Sequence, residues 1–295
     1  MDSFCPENPY KRGSWLIKGK HYCLASVSKA ARSDPRENLY FCTMLSNSGG
    51  VVEIIDLGLI PYKEAWDIQT AIHQRLITNK RECYPVPQNH YLLLCEHPPV
   101  FTLGKSGSEA NLKIDEQQLM DYEIEYFKIN RGGDITFHGP GQVVGYPILD
   151  LDLIFTDVHK YVRGLEEVII SVLKDYLVKG TRNPSYTGVW VADDQGTLKA
   201  RKICAIGVHL SRWVSMHGFA FNINTNLDYF NHIIPCGIQD DDKSVCSLSS
   251  LLGHEVDLQE IKKKISVAFG QVFDVETRSA SISALNAFIS QNIAS

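Results

Sequence analysis

Residues 185–224 read SYTGVWVADDQGTLKARKICAIGVHLSRWVSMHGFAFNIN, and this stretch decides the fold class. Three of its runs are rich in branched and aromatic residues and predict strands, at 185–192, 202–209 and 216–224. A turn near 194–196 would join the first two strands as a hairpin. Strands connected this closely pair antiparallel. The stretch therefore predicts a sheet with much antiparallel pairing.

Helical patterns alternate with further strand-like runs outside this stretch. The clearest helix spans 158–177, where one apolar stripe recurs at helical spacing. Another helix opens at Pro61, where the missing N–H of proline does no harm. Further strands are predicted at 51–60, 91–95, 123–130 and 142–151, and further helices at 114–122 and 258–273. The whole pattern predicts an α/β fold with a mixed, largely antiparallel sheet flanked by helices.

The composition excludes several classes of protein. Lys and Arg number 29 against 34 Asp and Glu, and the net charge of −5 argues against a protein that coats nucleic acid. No apolar run approaches the roughly 20 residues that span a bilayer, so we expect no membrane protein. The 8 cysteines contain no CxxC pair, which favours free thiols in a reducing compartment.

Residues 1–50 differ from the rest of the chain. They are rich in Lys, Arg, Ser and Asn and have no sustained apolar period. Three hypotheses remain open: a flexible extension, with Met44 as an alternative start; an organelle-targeting segment; or an expression tag, since 37–41 resemble a protease site used in tags. The predicted organisation is an N-terminal extension at 1–50, a main domain at 51–275 and a C-terminal tail at 276–295.

A glycine-rich loop is predicted at 131–142, RGGDITFHGPGQ, between two strands. Its glycines would let the backbone approach a ligand closely. A plain structural turn would not explain why Arg131, Thr136, His138 and Gln142 are interleaved with them. The spacing matches neither a Walker A loop nor a dinucleotide-binding fingerprint. The loop is therefore a candidate ligand cradle of another kind.

Lys202 and Cys236 are candidates for nucleophilic chemistry. Lys202 opens an apolar strand, where it is either a solvated edge charge or a buried cation that stabilises a thiolate. Cys236 lies between a proline and a glycine, so both an inert thiol and an accessible nucleophile remain open. His217 and His232 allow a Cys–His pair, or a metal site with Cys236, as alternatives. These residues suggest acyl or thioester chemistry without identifying a substrate.

Three segments together resemble the lipoyl(octanoyl) transferase family. The first is RGGDITFHGPGQVVGY at 131–146. The second is TGVW at 187–190, followed by RKI and a small-x-Gly pattern within 201–207. The third is HG-x-A-x-N at 217–222 with the Pro-Cys-Gly turn at 235–237. The resemblance covers about residues 51–275 in order.

The resemblance implies the catalytic domain shared by biotin and lipoate protein ligases, which would make 51–275 an octanoyltransferase domain. It implies transfer of an octanoyl group from acyl carrier protein to a specific lysine of a lipoyl domain, the first step of endogenous protein lipoylation. Cys236 matches the nucleophile that would hold the octanoyl thioester, and Lys202 matches the lysine that would lower its pKa. The family's acyl-binding stretches match Arg131, Gly132, Gly133, Asp134, Ile135, Thr136, Phe137, His138, Ala205, Ile206, Gly207, Gly218, Phe219 and Ala220.

The resemblance also implies the partners. The donor would be octanoyl-acyl carrier protein, and the acceptors would be the lipoyl domains of 2-oxoacid dehydrogenase complexes and the H protein of glycine cleavage. No metal, no organic cofactor, no nucleic acid and no membrane is implied. Acyl carrier proteins are acidic, so we expect a basic patch at the entrance, with Lys105 and Arg212 as candidates. The expected compartment is the cytoplasm, or a mitochondrion or plastid if 1–50 is a targeting segment.

Three alternatives and two departures from the family pattern accompany this interpretation. An ATP-dependent lipoate or biotin ligase of the same fold would need no cysteine in the turn, so Lys202 and Cys236 together favour the transferase. A transferase acting between lipoyl domains and a binding module with an inert Cys236 are the other two. The departures are an insert at 193–201 and Phe219, where leucine is common and an aromatic ring would reshape the acyl pocket.

Overall fold

The computed structural model describes residues 14–17, 20–23, 50–81, 89–192, 200–234 and 243–290. The chain divides into two compact units, Met1–Ser46 and Asn47–Ser295. In the first unit, β1 (Ser14–Ile17) and β2 (Lys20–Cys23) form an antiparallel hairpin. The rest of 1–49 lies outside the described residues, so the hypotheses about this extension stay predictions.

A mixed sheet organises the second unit. Its strands are β3 (Val51–Leu59), β4 (His90–Glu96), β8 (Gln142–Ile148), β9 (Gly180–Arg182), β10 (Val189–Ala192), β11 (Ala200–Ser211), β12 (Val214–Asn222), β13 (Lys243–Val245) and β14 (Glu276–Ser279). Among the described residues the order is β14-β3-β4-β8-β12-β11-β10-β9, with β13 beside β11. The run from β4 to β9 is antiparallel, whereas β14–β3, β3–β4 and β11–β13 are parallel. The predicted mixed, largely antiparallel sheet is confirmed.

A second, three-stranded sheet includes the strand predicted at 123–130 and a strand inside the segment predicted as a glycine-rich loop. It consists of β5 (Val100–Leu103), β6 (Glu125–Lys128) and β7 (Ile135–His138), in the order β6-β5-β7. The glycine-rich segment is therefore a loop at 131–134 that continues into a strand. Its residues Ile135–His138 pair antiparallel with Val100–Leu103, because the apolar side chains of Ile135 and Phe137 alternate and can pack on one face.

Helices cover both faces of the large sheet. They are α1 (Tyr62–Arg81), α3 (Val158–Asp175), α4 (Leu248–Leu252), α5 (Leu258–Phe273) and α6 (Ile282–Ser290), whereas α2 (Glu116–Asp121) contacts β6 of the second sheet. The apolar stripes of α3 and α5 pack with Phe219 and Phe221 of β12. Ala220 belongs instead to the core beneath α1 and α6. Consecutive residues of β12 therefore pack into cores on opposite faces of the sheet, because side chains alternate along a strand.

Residues 276–290 differ from the predicted tail. β14 (Glu276–Ser279) adds a parallel edge strand to β3, and the Leu285 side chain of α6 has no exposed surface. The helix α6 has only nine residues, so the sequence signal for it is weak. At the other end of the site region, β10 begins at Val189 and not at 185, because Gly188 has a φ of +124°. The turn predicted near 194–196 lies outside the described residues.

The described ranges contain no helix that could span a membrane. None of the helices there combines the length and the apolar character that a bilayer crossing needs.

The role of α6 gives a stability prediction. Leu285→Ala should lower the free energy of unfolding by about 2–5 kcal/mol, because it removes a fully buried side chain and leaves a cavity. Ile282→Ala is the matched control, since Ile282 lies on the same helix with 44% of its surface exposed. Urea unfolding of both variants measures the difference. Equal losses for the two variants would contradict the packing of this helix on the sheet.

Candidate active site

Small residues on neighbouring strands leave room beside the sheet. In the pairing of β11 with β12, Ala205 lies opposite Ala220 and Gly207 lies opposite Gly218. The glycine-rich loop approaches these strands, since the Gly132 N–H donates to the Val208 carbonyl at 3.0 Å. A Cβ on Gly207 would lie 2.8 Å from the Gly132 carbonyl oxygen. Glycine at 207 is thus what allows the loop to lie this close to the strand.

A cavity of about 330 Å³ opens between the loop and the strands. All of the predicted acyl-binding residues except Phe137 line it, and so does Lys202. The predicted site residues that it brings together are Arg131, Gly132, Gly133, Asp134, Ile135, Thr136, His138, Lys202, Ala205, Ile206, Gly207, Gly218, Phe219 and Ala220. Three separate stretches of sequence therefore converge on one pocket, whose size is typical of a small-ligand site.

Two aromatic residues of these stretches have packing roles. The Phe137 ring points away from the cavity and stacks on Tyr229, with ring centroids 4.5 Å apart. Phe219 borders the cavity, but its ring occupies the space over Gly145 and belongs to the core beneath α3 and α5. The expectation that an aromatic at 219 reshapes the acyl pocket stays a prediction.

Arg131 holds the glycine-rich loop in place. Its side chain is buried, and Nη2 donates to the carbonyl and the hydroxyl oxygens of Thr102 at 2.6 and 3.0 Å. Nη1 donates to the Gly132 carbonyl at 3.0 Å. Hydrogen bonds from a charged donor are stronger than neutral ones. The guanidinium therefore fixes the loop to β5 at the cavity wall.

A directional chain of hydrogen bonds runs beneath the cavity. The Gln142 amide donates to the Asn222 side-chain oxygen at 2.9 Å, so its own Oε1 accepts from His138 Nδ1 at 2.9 Å. His138 Nε2 then accepts from the Thr102 hydroxyl at 3.3 Å. Burial lowers the pKa of His138 well below its usual value. The imidazole is therefore neutral, with its proton on Nδ1, as this chain requires.

Tyr146 lies at a second polar position of the wall. The Nδ1–H of His97 donates to the Ile60 carbonyl at 2.8 Å, so Nε2 accepts from the Tyr146 hydroxyl at 2.7 Å. Burial lowers the pKa of His97 to about 4 and raises that of Tyr146. The cavity wall is thus neutral here. The family resemblance gave no role to five further lining residues, although Tyr146 ends its first motif. These residues are Tyr62, Gln142, Tyr146, His217 and Asn222.

Lys202 brings a cation to the cavity. It precedes a β-bulge in β11, where Val189 pairs with Cys204 but Trp190 pairs with Lys202. Its side chain is buried, with 8% exposed, and Nζ lies 4.7 Å from the centre of the Trp190 ring. The plain alternative of a solvated edge charge does not fit this burial. A buried ammonium beside an aromatic face can stabilise a nearby anion.

Cys236 lies outside the described residues, but its neighbours on both sides border the cavity. Phe230 and Val245 both line it. The Ile234 N–H donates to the Asn111 carbonyl at 2.8 Å, and Val245 of β13 pairs in register with Lys202. Described residues before and after Cys236 in the sequence therefore line the same pocket.

Three other cysteines have described side chains, and none of them suits nucleophilic chemistry. Cys95, Cys204 and Cys246 are buried and free. Burial raises the pKa of all three thiols, that of Cys246 to about 12. A thiol that stays protonated at neutral pH is a poor nucleophile.

The two histidines of the alternative metal site contact different residues. His217 is buried, with Nε2 2.6 Å from the Asn130 side-chain oxygen and a pKa lowered to about 3 by burial and by Arg131. His232 stacks on Tyr122 with ring centroids 5.2 Å apart. Within the described ranges, no three His, Cys, Asp or Glu side chains are grouped to hold a metal ion. Cys236, the third member of that hypothesis, lies outside the described ranges.

The sequence and the fold have known relatives. Residues 61–270 match the lipoyl protein ligase A/B catalytic domain family. Octanoyltransferases of Christiangramia forsetii and Flavobacterium psychrophilum are each 52% identical, over 77% and 76% of this chain and 97% of their own lengths. A bipartite lipoate protein ligase from Thermoplasma acidophilum superposes with a TM-score of 0.61 at 12% identity, over 83% of this chain and 92% of that chain.

A lipoate-protein ligase A bound with ATP has a TM-score of 0.59, also at 12% identity, over 83% of this chain and 94% of that one. At such identities the two solved structures show the fold alone. The family match and the curated relatives go further. The chain belongs to the lipoyl protein ligase A/B catalytic domain family and, within it, to the octanoyltransferases.

Proposed function

We propose that this acyltransferase moves an octanoyl group from octanoyl-acyl carrier protein to a specific lysine of a lipoyl domain, through a thioester on Cys236. The observation that carries the proposal is the convergence of three acyl-binding stretches and Lys202 on one cavity. Phe230 and Val245, described residues on either side of Cys236 in the sequence, also line that cavity. The acceptors would be lipoyl domains of 2-oxoacid dehydrogenase complexes and the glycine cleavage H protein, in the cytoplasm.

The first step is formation of the acyl-enzyme. Cys236 loses its proton, and the Lys202 ammonium stabilises the thiolate. The thiolate attacks the carbonyl carbon of the octanoyl thioester and forms a tetrahedral oxyanion. In this proposal, backbone N–H groups of the glycine-bearing stretches that line the cavity stabilise this charge. Collapse breaks the bond to the sulfur of the carrier, which leaves as a thiol after taking up a proton.

The second step forms the amide. The acceptor lysine, as a neutral amine, attacks the octanoyl-cysteine carbonyl, and the Cys236 thiolate leaves. The proton released from the amine returns to the thiolate, with Lys202 placed to relay it. Both bonds broken are thioesters, which are activated already. The reaction therefore needs no ATP, no metal ion and no organic cofactor.

The shape of the cavity suits a straight acyl chain. Its lining positions on β12 run from His217 to Asn222, about 17 Å along a strand. An extended octanoyl group of about 9 Å fits within that length. Ala205, Gly207 and Ala220 supply space, and the buried histidines nearby are neutral. An apolar chain would therefore meet no buried charge from these imidazoles.

The ATP-dependent ligase is the alternative with the same fold. Its catalytic route through an adenylate makes no use of a thiol at Cys236. The high identity to octanoyltransferases supports the transferase, and a buried Lys202 at the cavity supports thiolate chemistry. The two functions differ in their requirement for ATP, which a single experiment tests.

Incubation with octanoyl-acyl carrier protein in the absence of ATP should add one octanoyl group to the protein. Intact-protein mass spectrometry measures the adduct, and hydroxylamine should remove it, since it cleaves thioesters. Cys236→Ser should form no such adduct. Activity that appears only with free octanoate and ATP would contradict the proposal and indicate the ligase.

Lys202→Met should slow acylation of the enzyme by about a hundredfold at neutral pH. A nearby cation lowers the pKa of a thiol, so its removal should move the rising limb of the rate against pH to higher pH. Lys63→Met, at a side chain with 55% exposure, is the matched control. Rapid-quench acylation rates measure both. A Lys202→Met profile that superposes on that of the control would contradict the role of Lys202.

Ala220→Leu should shift the acyl preference toward shorter donors, because the larger side chain fills the cavity. We expect the ratio of kcat/KM for hexanoyl over octanoyl donors to rise about tenfold. Phe221→Leu is the matched control, since Phe221 belongs to the opposite core. Steady-state assays with both donors give the two ratios. An unchanged ratio for Ala220→Leu would show that the chain binds elsewhere.

A further inference from the structure

A buried carboxylate stands directly behind the wall that contains Lys202. Glu166 of α3 has no exposed side-chain surface. Its Oε2 pairs with Arg163 at 2.7 Å and with Arg182 at 3.1 Å. Its Oε1 accepts a hydrogen bond from the Gly188 N–H at 3.1 Å. One carboxylate thus joins α3, β9 and the segment that leads into β10.

The Gly188 backbone lies close to the candidate catalytic lysine. A Cβ on Gly188 would lie 3.6 Å from Lys202 Cε and 2.5 Å from the Cys204 carbonyl oxygen. With a φ of +124°, Gly188 also has a conformation that other residues rarely adopt. The Gly188 backbone therefore forms one side of the space in which the Lys202 chain lies. Its position is set by the hydrogen bond that its N–H donates to Glu166 Oε1.

The rest of this segment also surrounds the lysine. Ser185, Tyr186 and Thr187 line the cavity. The Trp190 ring, over which Lys202 Nζ lies, donates its indole N–H to the Tyr186 carbonyl at 3.2 Å. A shift of the segment would therefore move the ring and the backbone that confine the ammonium together.

We propose that Glu166 is a positioning residue for Lys202, acting through the Gly188 N–H and the segment at 185–190. Its carboxylate fixes the wall against which Lys202 packs, and so sets the distance from the ammonium to the reacting thiol. The inference rests on the proposed function, because it assigns the positioned ammonium a role in forming the acyl-enzyme.

Two conservative variants separate the contact from the charge. Glu166→Asp keeps a carboxylate for the arginines but is shorter by one carbon–carbon bond, about 1.5 Å, and does not reach the Gly188 N–H. Glu166→Gln keeps the length and a carbonyl acceptor for Gly188 but removes the charge from Arg163 and Arg182. Glu167→Asp is the control. Glu167 is the next residue of α3, is 35% exposed and also pairs with Arg182, at 2.6 Å.

The test measures octanoyl-adduct formation on Cys236 by rapid quench and mass spectrometry, below the melting temperature of each variant. Glu166→Asp should acylate about tenfold more slowly, since small displacements of a catalytic group are costly. It should also need a higher pH to reach half of its maximal rate. Glu166→Gln should keep the acylation rate within about threefold and lose thermal stability, because two arginines lose their partner. Glu167→Asp should keep both the rate and the pH profile within about twofold.

The inference is supported only if Glu166→Asp acylates slowly and Glu166→Gln keeps an acylation rate close to that of the wild type. Equal rates for the two Glu166 variants, or a slower Gln variant, would overturn it, because a merely structural carboxylate affects melting temperature and not the rate per folded enzyme. Wild-type protein and Cys236→Ser are measured beside them. If wild-type protein forms no adduct, the proposed function fails. If it does and the two Glu166 variants match it, only the positioning role fails.

Discussion

The site depends on the close approach of the glycine-rich loop to β11. That approach consists of one backbone hydrogen bond, from Gly132 to Val208 at 3.0 Å, across a strand position where a Cβ would not fit. Arg131 holds the other side of the loop through Thr102. The pocket exists because the loop is fixed against small residues and does not collapse onto larger ones. In the proposed function, binding of the acyl chain depends on this arrangement.

The pocket combines neutral imidazoles with two buried cations, Arg131 and Lys202. His97, His138 and His217 surround the region, and burial lowers the pKa of each below neutrality. Their hydrogen-bond partners agree with neutral rings. The apolar chain can therefore bind without desolvating charged imidazoles. Lys202 lines the TGVW side of the pocket, and in the proposed mechanism it stabilises the thiolate of Cys236.

The sequence predicted the main sheet, the long helices and most of the pocket lining. Glycine and proline spacing and single-residue patterns predict strands, helices and turns, which many folds share. The family motifs also identify which residues line the site. The strand at Ile135–His138 was missed because it has only four residues and its flanks are rich in glycine, so its apolar–polar alternation is too short to recognise. The roles of Phe137 and Glu166 were missed for another reason. They depend on contacts between residues distant in sequence, Tyr229 for the ring and Gly188 for the carboxylate.

The most direct test of the account is a crystal structure of the enzyme carrying an octanoyl group. The proposed mechanism predicts a thioester on Cys236 with its carbonyl beside Lys202 Nζ. The chain should extend along Ala205, Gly207 and Ala220, beneath the loop at 131–134. An octanoyl group bound to another residue, or a chain lying outside this cavity, would contradict it.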